Sequence, residues 1–277
     1  MIYQTVNSSP ANEVRTPVQK SLSRAHGPRE SLMETPLISR PTDYHQPEAD
    51  MASVARDNLT ARVYQELRQA LMEGRFRPGH RFKIRQLAQS MGVSETPIRE
   101  ALMQLVRERV LDMRAARSIA VARLTSAQYQ ELRAIRLLPE GFAAEQAATR
   151  ITDSAIAELR HHHRALADAE RDGEWRKAVE ANWHFHNTIY RAAGLPELLG
   201  MIETIWLRNG PLLNILYPRA VPTYSERHQH LNVIDGLVAR DPVAVKQAIQ
   251  ADLMEGGAKL IELLDEIDQG KVPLYPE

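Results

Sequence analysis

The stretch RFKIRQLAQSMGVSETPIREALMQLVRERVL, residues 81–111, decides the fold of the first part of this chain. Apolar residues recur three and four positions apart over residues 83–91 and again over 98–106, and this spacing predicts two helices that each bury one face. Gly92 lies between them, where glycine ends a helix without the left-handed penalty. Ser94 stands where a hydroxyl can cap the second helix. We therefore expect a helix, a tight turn and a second helix.

The second helix begins with a polar edge that the apolar stripe does not use. Glu95, Thr96 and Arg99 form this edge, and the start of such a helix is suited to base and phosphate contacts. A further helix is predicted over residues 59–73. After residue 111, apolar and polar residues alternate on both sides of a basic turn, and this pattern predicts a two-stranded wing. The segment thus has the pattern of a winged helix-turn-helix.

Charge is distributed unevenly although the totals cancel. Lys+Arg and Asp+Glu both number 35. Residues 59–123 carry 13 basic and 6 acidic side chains, whereas residues 124–277 carry 16 and 22. A basic module followed by an acidic one favours nucleic-acid binding by the first.

Composition and motifs exclude several classes of protein. The chain has no cysteine, which excludes disulfides and thiolate metal sites and is typical of a cytoplasmic protein. No apolar run has the length of a membrane span. No HExxH, nucleophile elbow or P-loop is found, which argues against an enzyme. We expect a cytoplasmic protein without enzymatic activity.

The domain organisation follows from the breaks in periodicity. Residues 1–58 are rich in loop-forming residues and predict a disordered tail; the alternative is that translation begins later, for instance at Met51. We expect the DNA-binding domain over 59–123, a helical domain over 124–270 and a C-terminal tail over 271–277. Helices of the second domain are predicted near 126–149, 153–172, 174–193, 195–217, 223–239 and 242–268. The predicted fold class is mainly α, a winged helix-turn-helix followed by an all-α bundle of six or seven helices.

The runs GRFRPGHR and LAQSMGVSETPIREAL resemble the winged helix-turn-helix of GntR-type transcriptional regulators. The helical remainder is similar to the FCD effector domain of the FadR branch, and six helices resemble its VanR-like subgroup. The likeness covers residues 59–268. It implies a homodimer that binds double-stranded DNA at a palindromic operator, acts as a repressor, and responds to a small organic-acid effector. A regulator without a ligand and a helical metalloenzyme with a DNA-binding appendage are the alternatives.

The resemblance also assigns DNA-contacting residues. The matching positions in the helix pair are Arg85, Ser94, Thr96 and Arg99. Because a guanidinium fork matches guanine O6 and N7, the two arginines are the specificity candidates. The alternative for Arg99 is that it only pairs with Glu95 four residues earlier.

Two departures from the family pattern affect the expected contacts. Glu95 stands where relatives commonly carry arginine, so that contact is either missing or directed to a cytosine amino group. In the wing, Ser118 replaces the usual glycine, and Arg114 and Arg117 are expected to reach phosphate or the minor groove.

The helical domain is expected to hold a divalent metal ion. The family uses an Asp-x-x-x-His pair and two further histidines, and the matching residues here are Asn182, His186, His228 and Asp252. Imidazole and carboxylate ligands suit Zn, Ni or Mn. The alternative is a metal-free polar pocket in which the amide and the carboxylate orient the two histidines. The tract 161–163, three consecutive histidines, spans about 200° of a helix and is expected to form a solvated surface.

The effector is expected to bind beside this site through an arginine. Arg136 and Arg208 are the candidates, the first by its position in the family's first effector helix and the second because it interrupts an apolar helix. The alternative for each is a surface arginine with a packed stem.

Overall fold

The computed structural model describes residues 59–114 and 118–275. The predictions for the tail 1–58 and for Arg117 lie outside these described residues.

The DNA-binding segment has the elements that the spacing predicts. They are α1 (Leu59–Met72), α2 (Ile84–Met91), α3 (Glu95–Arg107), β1 (Leu111–Met113) and β2 (Ile119–Val121). Gly92 ends α2 with φ 67°, the left-handed conformation that glycine adopts without strain. Ser94 is the N-cap of α3, as expected, but its hydroxyl makes no capping hydrogen bond. The helix-turn-helix is confirmed, and one predicted hydrogen bond within it is not made.

The wing is a two-stranded antiparallel ladder. Leu111 pairs with Val121 and Met113 with Ile119. The loop before α2 lies along the second strand, where the Phe82 N–H donates to the Ile119 carbonyl at 2.9 Å and the Val121 N–H to the His80 carbonyl at 2.9 Å. These bonds attach the loop preceding α2 to the wing.

The second domain is helical throughout, as expected. Its elements are α4 (Ser126–Ala147), α5 (Asp153–Arg171), α6 (Trp175–Ala192), α7 (Pro196–Asn209), a 3-10 turn (Gly210–Leu212), α8 (Leu213–Leu216), α9 (Gln229–Val238), α10 (Pro242–Gly256) and α11 (Ala258–Asp268). None of the helices in the described ranges is long and apolar enough to cross a membrane.

Three predicted helices have different bounds in the structure. The run 195–217 is interrupted by the 3-10 turn, where Pro211 removes a backbone donor from the helix ladder. The run 242–268 is two helices because Gly257, which follows Gly256 at the end of α10, separates them. The helix predicted from residue 223 begins only at Gln229. The all-α class of this domain is as predicted, but the bounds of these runs are not, because glycine and proline interrupt helices where apolar periodicity continues.

Helix α1 connects the two parts of the molecule. Its buried face packs against α3, and its far end contacts α7 and the 3-10 turn. The Arg68 guanidinium lies 3.3 Å from the Glu203 carboxylate of α7. The Asn214 side-chain amide donates to the Gly74 carbonyl at 2.8 Å. Buried apolar side chains form one continuous core from α1 to α11, so the helix-turn-helix is supported by the helical domain.

Candidate functional site

The predicted DNA-contacting residues of the helix pair are all exposed. They are Arg85 on α2 and Ser94, Glu95, Thr96 and Arg99 at the start of α3. The Arg99 guanidinium lies 3.6 Å from the Glu95 carboxylate, and the side chains remain 61% and 49% exposed. A pair so exposed contributes little to stability. The ion pair expected as the alternative is therefore present, and it leaves the arginine available for other partners.

The wing is described only in part. Arg114 is half-buried, and its backbone N–H donates to the Ser118 carbonyl at 2.8 Å. Arg117, the other arginine expected in the wing, lies outside the described residues.

A cavity of about 50 Å³ lies inside the helical domain. The predicted site residues among its walls are Arg136, Asn182, His186, His228 and Asp252. Tyr129, Asn209 and Tyr224 also line it and were not singled out from the sequence. Arg208 is not among the lining residues; it is half-buried, and its Nε finds no hydrogen-bond partner within the described ranges. Since one water needs roughly 10–15 Å³ of such a cavity, there is room for a few water-sized groups.

His186 and Asp252 form the polar centre of the cavity. The His186 Nε2 lies 3.2 Å from the Asp252 Oδ2, and both residues are buried. The other ring nitrogen of His186, Nδ1, is 3.0 Å from the Tyr190 hydroxyl. The Asp252 Oδ1 has no hydrogen-bond partner among the residues described, although it is fully buried.

His230 completes this centre and was missed by the sequence analysis. Its Nε2 lies 3.9 Å from the Asp252 Oδ1. The ring stacks on Phe185 with centroids 3.6 Å apart, and neither ring nitrogen has a hydrogen-bond partner in the described part of the chain. Burial, together with the neighbouring histidines, holds the pKa of His230 well below its usual value, so the ring is neutral. One ligand atom from each of His186, His230 and Asp252 can lie within 4.8 Å of the other two. The HxH spacing at residues 228–230 was the signal that could have identified it.

His228 lies beside this centre, next to His163. It is the N-cap of α9, and its Nδ1 accepts from the His230 backbone N–H at 3.2 Å. Burial lowers the pKa of His228 to about 4. Its ring centroid is 5.1 Å from that of His163. The compact group that contains His228 is formed with His163 and His230, and not with His186 and Asp252.

The histidine tract on α5 is only partly the solvated surface that we expected. His161 is exposed, whereas the His162 ring stacks on His184 at 5.5 Å. His163 is half-buried, its Nδ1 is fully enclosed, and its ring is 5.7 Å from that of His230. The expectation is wrong for His163 because α5 packs against α6 and α9, which turns one side of the tract inward.

Arg136 belongs to a buried polar network. Its Nε and Nη2 donate to the Glu140 carboxylate at 2.6 and 3.1 Å, and its Nη1 donates to the Asn209 Oδ1 at 3.0 Å. Glu140 also accepts a hydrogen bond from Tyr190, whose hydroxyl contacts His186. A continuous path of polar contacts therefore leads from Arg136 to the centre of the cavity. The alternative of a surface arginine is wrong for Arg136, which is 4% exposed.

Comparison with known proteins agrees with a helix-turn-helix followed by a helical domain. The profile described as bacterial regulatory proteins, gntR family, matches residues 59–121, and the FCD domain profile matches residues 131–254. The HTH-type transcriptional regulator McbR of Escherichia coli K12 is 31% identical over 201 residues, which cover 72% of this chain and 90% of that protein. The HTH-type transcriptional repressor RspR of the same organism is 24% identical, with 71% and 86% covered.

Solved structures give the same result. E. coli McbR/YncC superposes with a TM-score of 0.66 at 30% identity and covers 77% of this chain and 99% of its own. A GntR regulator from Rhodococcus sp. RHA1 has a TM-score of 0.60 at 20% identity, with 74% and 99% covered, and is similar in fold. Both profiles and these relatives describe regulators and not enzymes. The chain therefore belongs to the FadR-type GntR family of bacterial transcriptional regulators, with a GntR helix-turn-helix domain followed by an FCD domain.

Proposed function

We propose that this regulator is a repressor that binds a palindromic operator as a homodimer, and that a small carboxylate in the cavity of the FCD domain sets its affinity for DNA. The observation that carries the proposal is the exposed polar edge at the start of α3. Repression is supported by the name of RspR, a transcriptional repressor.

The α3 edge offers the groups that base reading requires. Arg85 and Arg99 are exposed and offer planar donor forks for guanine. The Ser94 hydroxyl makes no capping bond, so it is available to a phosphate. Glu95 adds an exposed acceptor that suits a cytosine amino group, so the target sequence should differ from that of relatives with arginine there.

The surface of α4 supports the homodimer. Ile135, Leu138 and Phe142 are 48%, 76% and 45% exposed, and their spacing places them on one side of the helix. An exposed apolar stripe of this kind marks an interaction surface more often than a bare solvent face. A second copy of the chain would cover this stripe, and a helix-turn-helix dimer binds two half-sites through its two recognition helices.

The buried group at the cavity wall has the donors to hold a divalent metal ion. His186, His230 and Asp252 would hold it, and Asn182 lines the same cavity. One ring nitrogen of His230 and the Asp252 Oδ1, which are buried and have no partner among the residues described, are groups that an ion would satisfy. Zn, Ni and Mn accept this donor set. A bound ion would supply positive charge that attracts a carboxylate effector, while Arg136 contributes little because Glu140 already neutralises it.

Replacement of Arg99 tests the DNA-reading assignment. We expect Arg99→Ala to weaken binding to the operator by about 1–3 kcal/mol and to relax base preference at one position of each half-site. The measurement is fluorescence anisotropy on DNA flanking the gene, at fixed salt, with single-base variants of the half-site. Arg160→Ala removes another exposed arginine, from α5, and should leave affinity unchanged. Unchanged affinity and unchanged base preference for Arg99→Ala would contradict the assignment.

A further inference from the structure

Among the histidines that the proposed metal centre does not use, two lie close to His230. His163 projects from α5, and His228 stands at the start of α9. Both approach His230, with ring centroids 5.7 and 4.3 Å from it. One ligand atom from each of the three histidines can lie within 4.8 Å of the other two.

The local environment of this group suits the coordination of an ion. The His163 Nδ1 and both ring nitrogens of His230 are enclosed, and none has a hydrogen-bond partner in the part of the chain that the structure describes. His230 is fully buried. Buried polar atoms are nearly always paired, so three unpaired nitrogens in one small volume indicate a ligand. The His228 Nδ1 already accepts a hydrogen bond from the His230 backbone N–H. At 3.2 Å this hydrogen bond is long, and coordination of an ion through Nδ1 would replace it.

We propose that His163, His228 and His230 form a second metal-binding site, free of carboxylate, for a transition-metal ion such as Zn²⁺, Ni²⁺ or Cu²⁺. Three neutral imidazoles suit these ions and not Mg²⁺ or Ca²⁺, which take oxygen ligands. With three protein ligands, the ion keeps a fourth position for water or a small anion. Because the ligands are neutral, the ion retains its full charge, and an anion is the favoured fourth ligand.

This site is coupled to the proposed centre because both use His230. Simultaneous binding of two ions requires that the His230 ring lose a proton to solvent and bridge them through both nitrogens. The inference goes beyond the proposed function, which needs only the set formed by His186, His230 and Asp252.

The test measures Zn²⁺ binding to the tag-free, full-length chain by calorimetry and elemental analysis. In an Asp252→Asn background, which removes the carboxylate of the first centre, we expect one ion per chain to remain. Adding His163→Ala should weaken its binding at least tenfold. Adding His161→Ala, which removes an exposed histidine two residues away, should leave binding unchanged. Copper bound to the Asp252→Asn variant should show several nitrogen ligands by electron paramagnetic resonance.

Two outcomes would overturn the proposal: an Asp252→Asn protein that binds no ion, or equal affinities with and without His163. A His186→Gln background repeats the comparison in case the first variant unfolds, which circular dichroism reports. Failure of the carboxylate centre gives a different result. In that case the native chain and the Asp252→Asn variant bind Zn²⁺ equally, and His163→Ala weakens both.

Discussion

Arg136 shows how burial changes the role of a single residue. It was a candidate for effector binding by its sequence position, and it does line the cavity. Its guanidinium, however, is held by the Glu140 carboxylate and the Asn209 amide oxygen, and it lies over the Trp206 ring at 4.7 Å. Such a buried pair orients the cavity wall. The effector-binding role of Arg136 stays a prediction, and the pairing with Glu140 argues against a large contribution.

Replacement of Glu140 should be strongly destabilising. Glu140→Gln removes the negative charge opposite a guanidinium that is 5% exposed, and an uncompensated buried charge costs about 3–5 kcal/mol. Urea unfolding followed by circular dichroism measures the change. The control is Glu174→Gln, which breaks an exposed pair with Lys177 at 2.7 Å and should cost less than about 1 kcal/mol. Equal effects of the two variants would show that the Arg136 pair is not important for stability.

At the scale of elements, the 3-10 turn between α7 and α8 determines how closely α1 approaches the helical domain. A Cβ atom at Gly210 would lie 2.4 Å from the Leu71 carbonyl oxygen and 2.7 Å from that of Met72. Both contacts are with backbone atoms, which cannot rotate away. The interruption of the predicted helix 195–217 thus places a glycine where the two domains meet.

We expect Gly210→Ala to separate α1 from the turn and to destabilise the protein by about 1–3 kcal/mol, the usual cost of overpacking. Thermal unfolding measures the effect. Gly200→Ala is the matched control, since an added Cβ there meets no described atom within 4 Å, and alanine is favoured over glycine inside a helix by up to about 1 kcal/mol. A Gly210→Ala protein as stable as the Gly200→Ala protein would contradict this account of the interface.

At the scale of the whole molecule, the C-terminal segment connects the two domains a second time. The Arg219 guanidinium donates to the Pro273 and Leu274 carbonyls at 2.9 and 3.0 Å. The Tyr275 hydroxyl donates to the Pro78 carbonyl at 2.9 Å, and the Arg77 guanidinium lies 4.5 Å from the Tyr275 ring centroid. The segment therefore extends from the helical domain to the basic loop before α2.

Tyr275→Ala should release this loop. Loss of one hydrogen bond and one cation–π contact removes about 1–2 kcal/mol, which corresponds to roughly 5- to 30-fold faster amide hydrogen exchange over residues 75–82. Exchange in α10 should not change. Lys271→Ala, at an exposed position of the same segment, is the control. Unaltered exchange in the loop of the Tyr275→Ala protein would show that the segment does not restrain it.

The sequence by itself determined the winged helix-turn-helix and the fold class. The two helices of the DNA-binding motif, the turn at Gly92 and the wing depend on spacing, caps and turn residues within about thirty positions. Because these signals are local, they can be recognised in a single sequence. The family resemblance rests on the same residues and is confirmed.

Only the tertiary structure decided which histidines meet. His163, His230 and Asp252 come from α5, α9 and α10, and their convergence depends on how these helices pack. Helical periodicity predicts which side of a helix is buried, but it does not specify the neighbour that the side faces. For that reason the sequence pattern indicated His228 and not His230 and predicted that His163 faces solvent, whereas packing brings all three together.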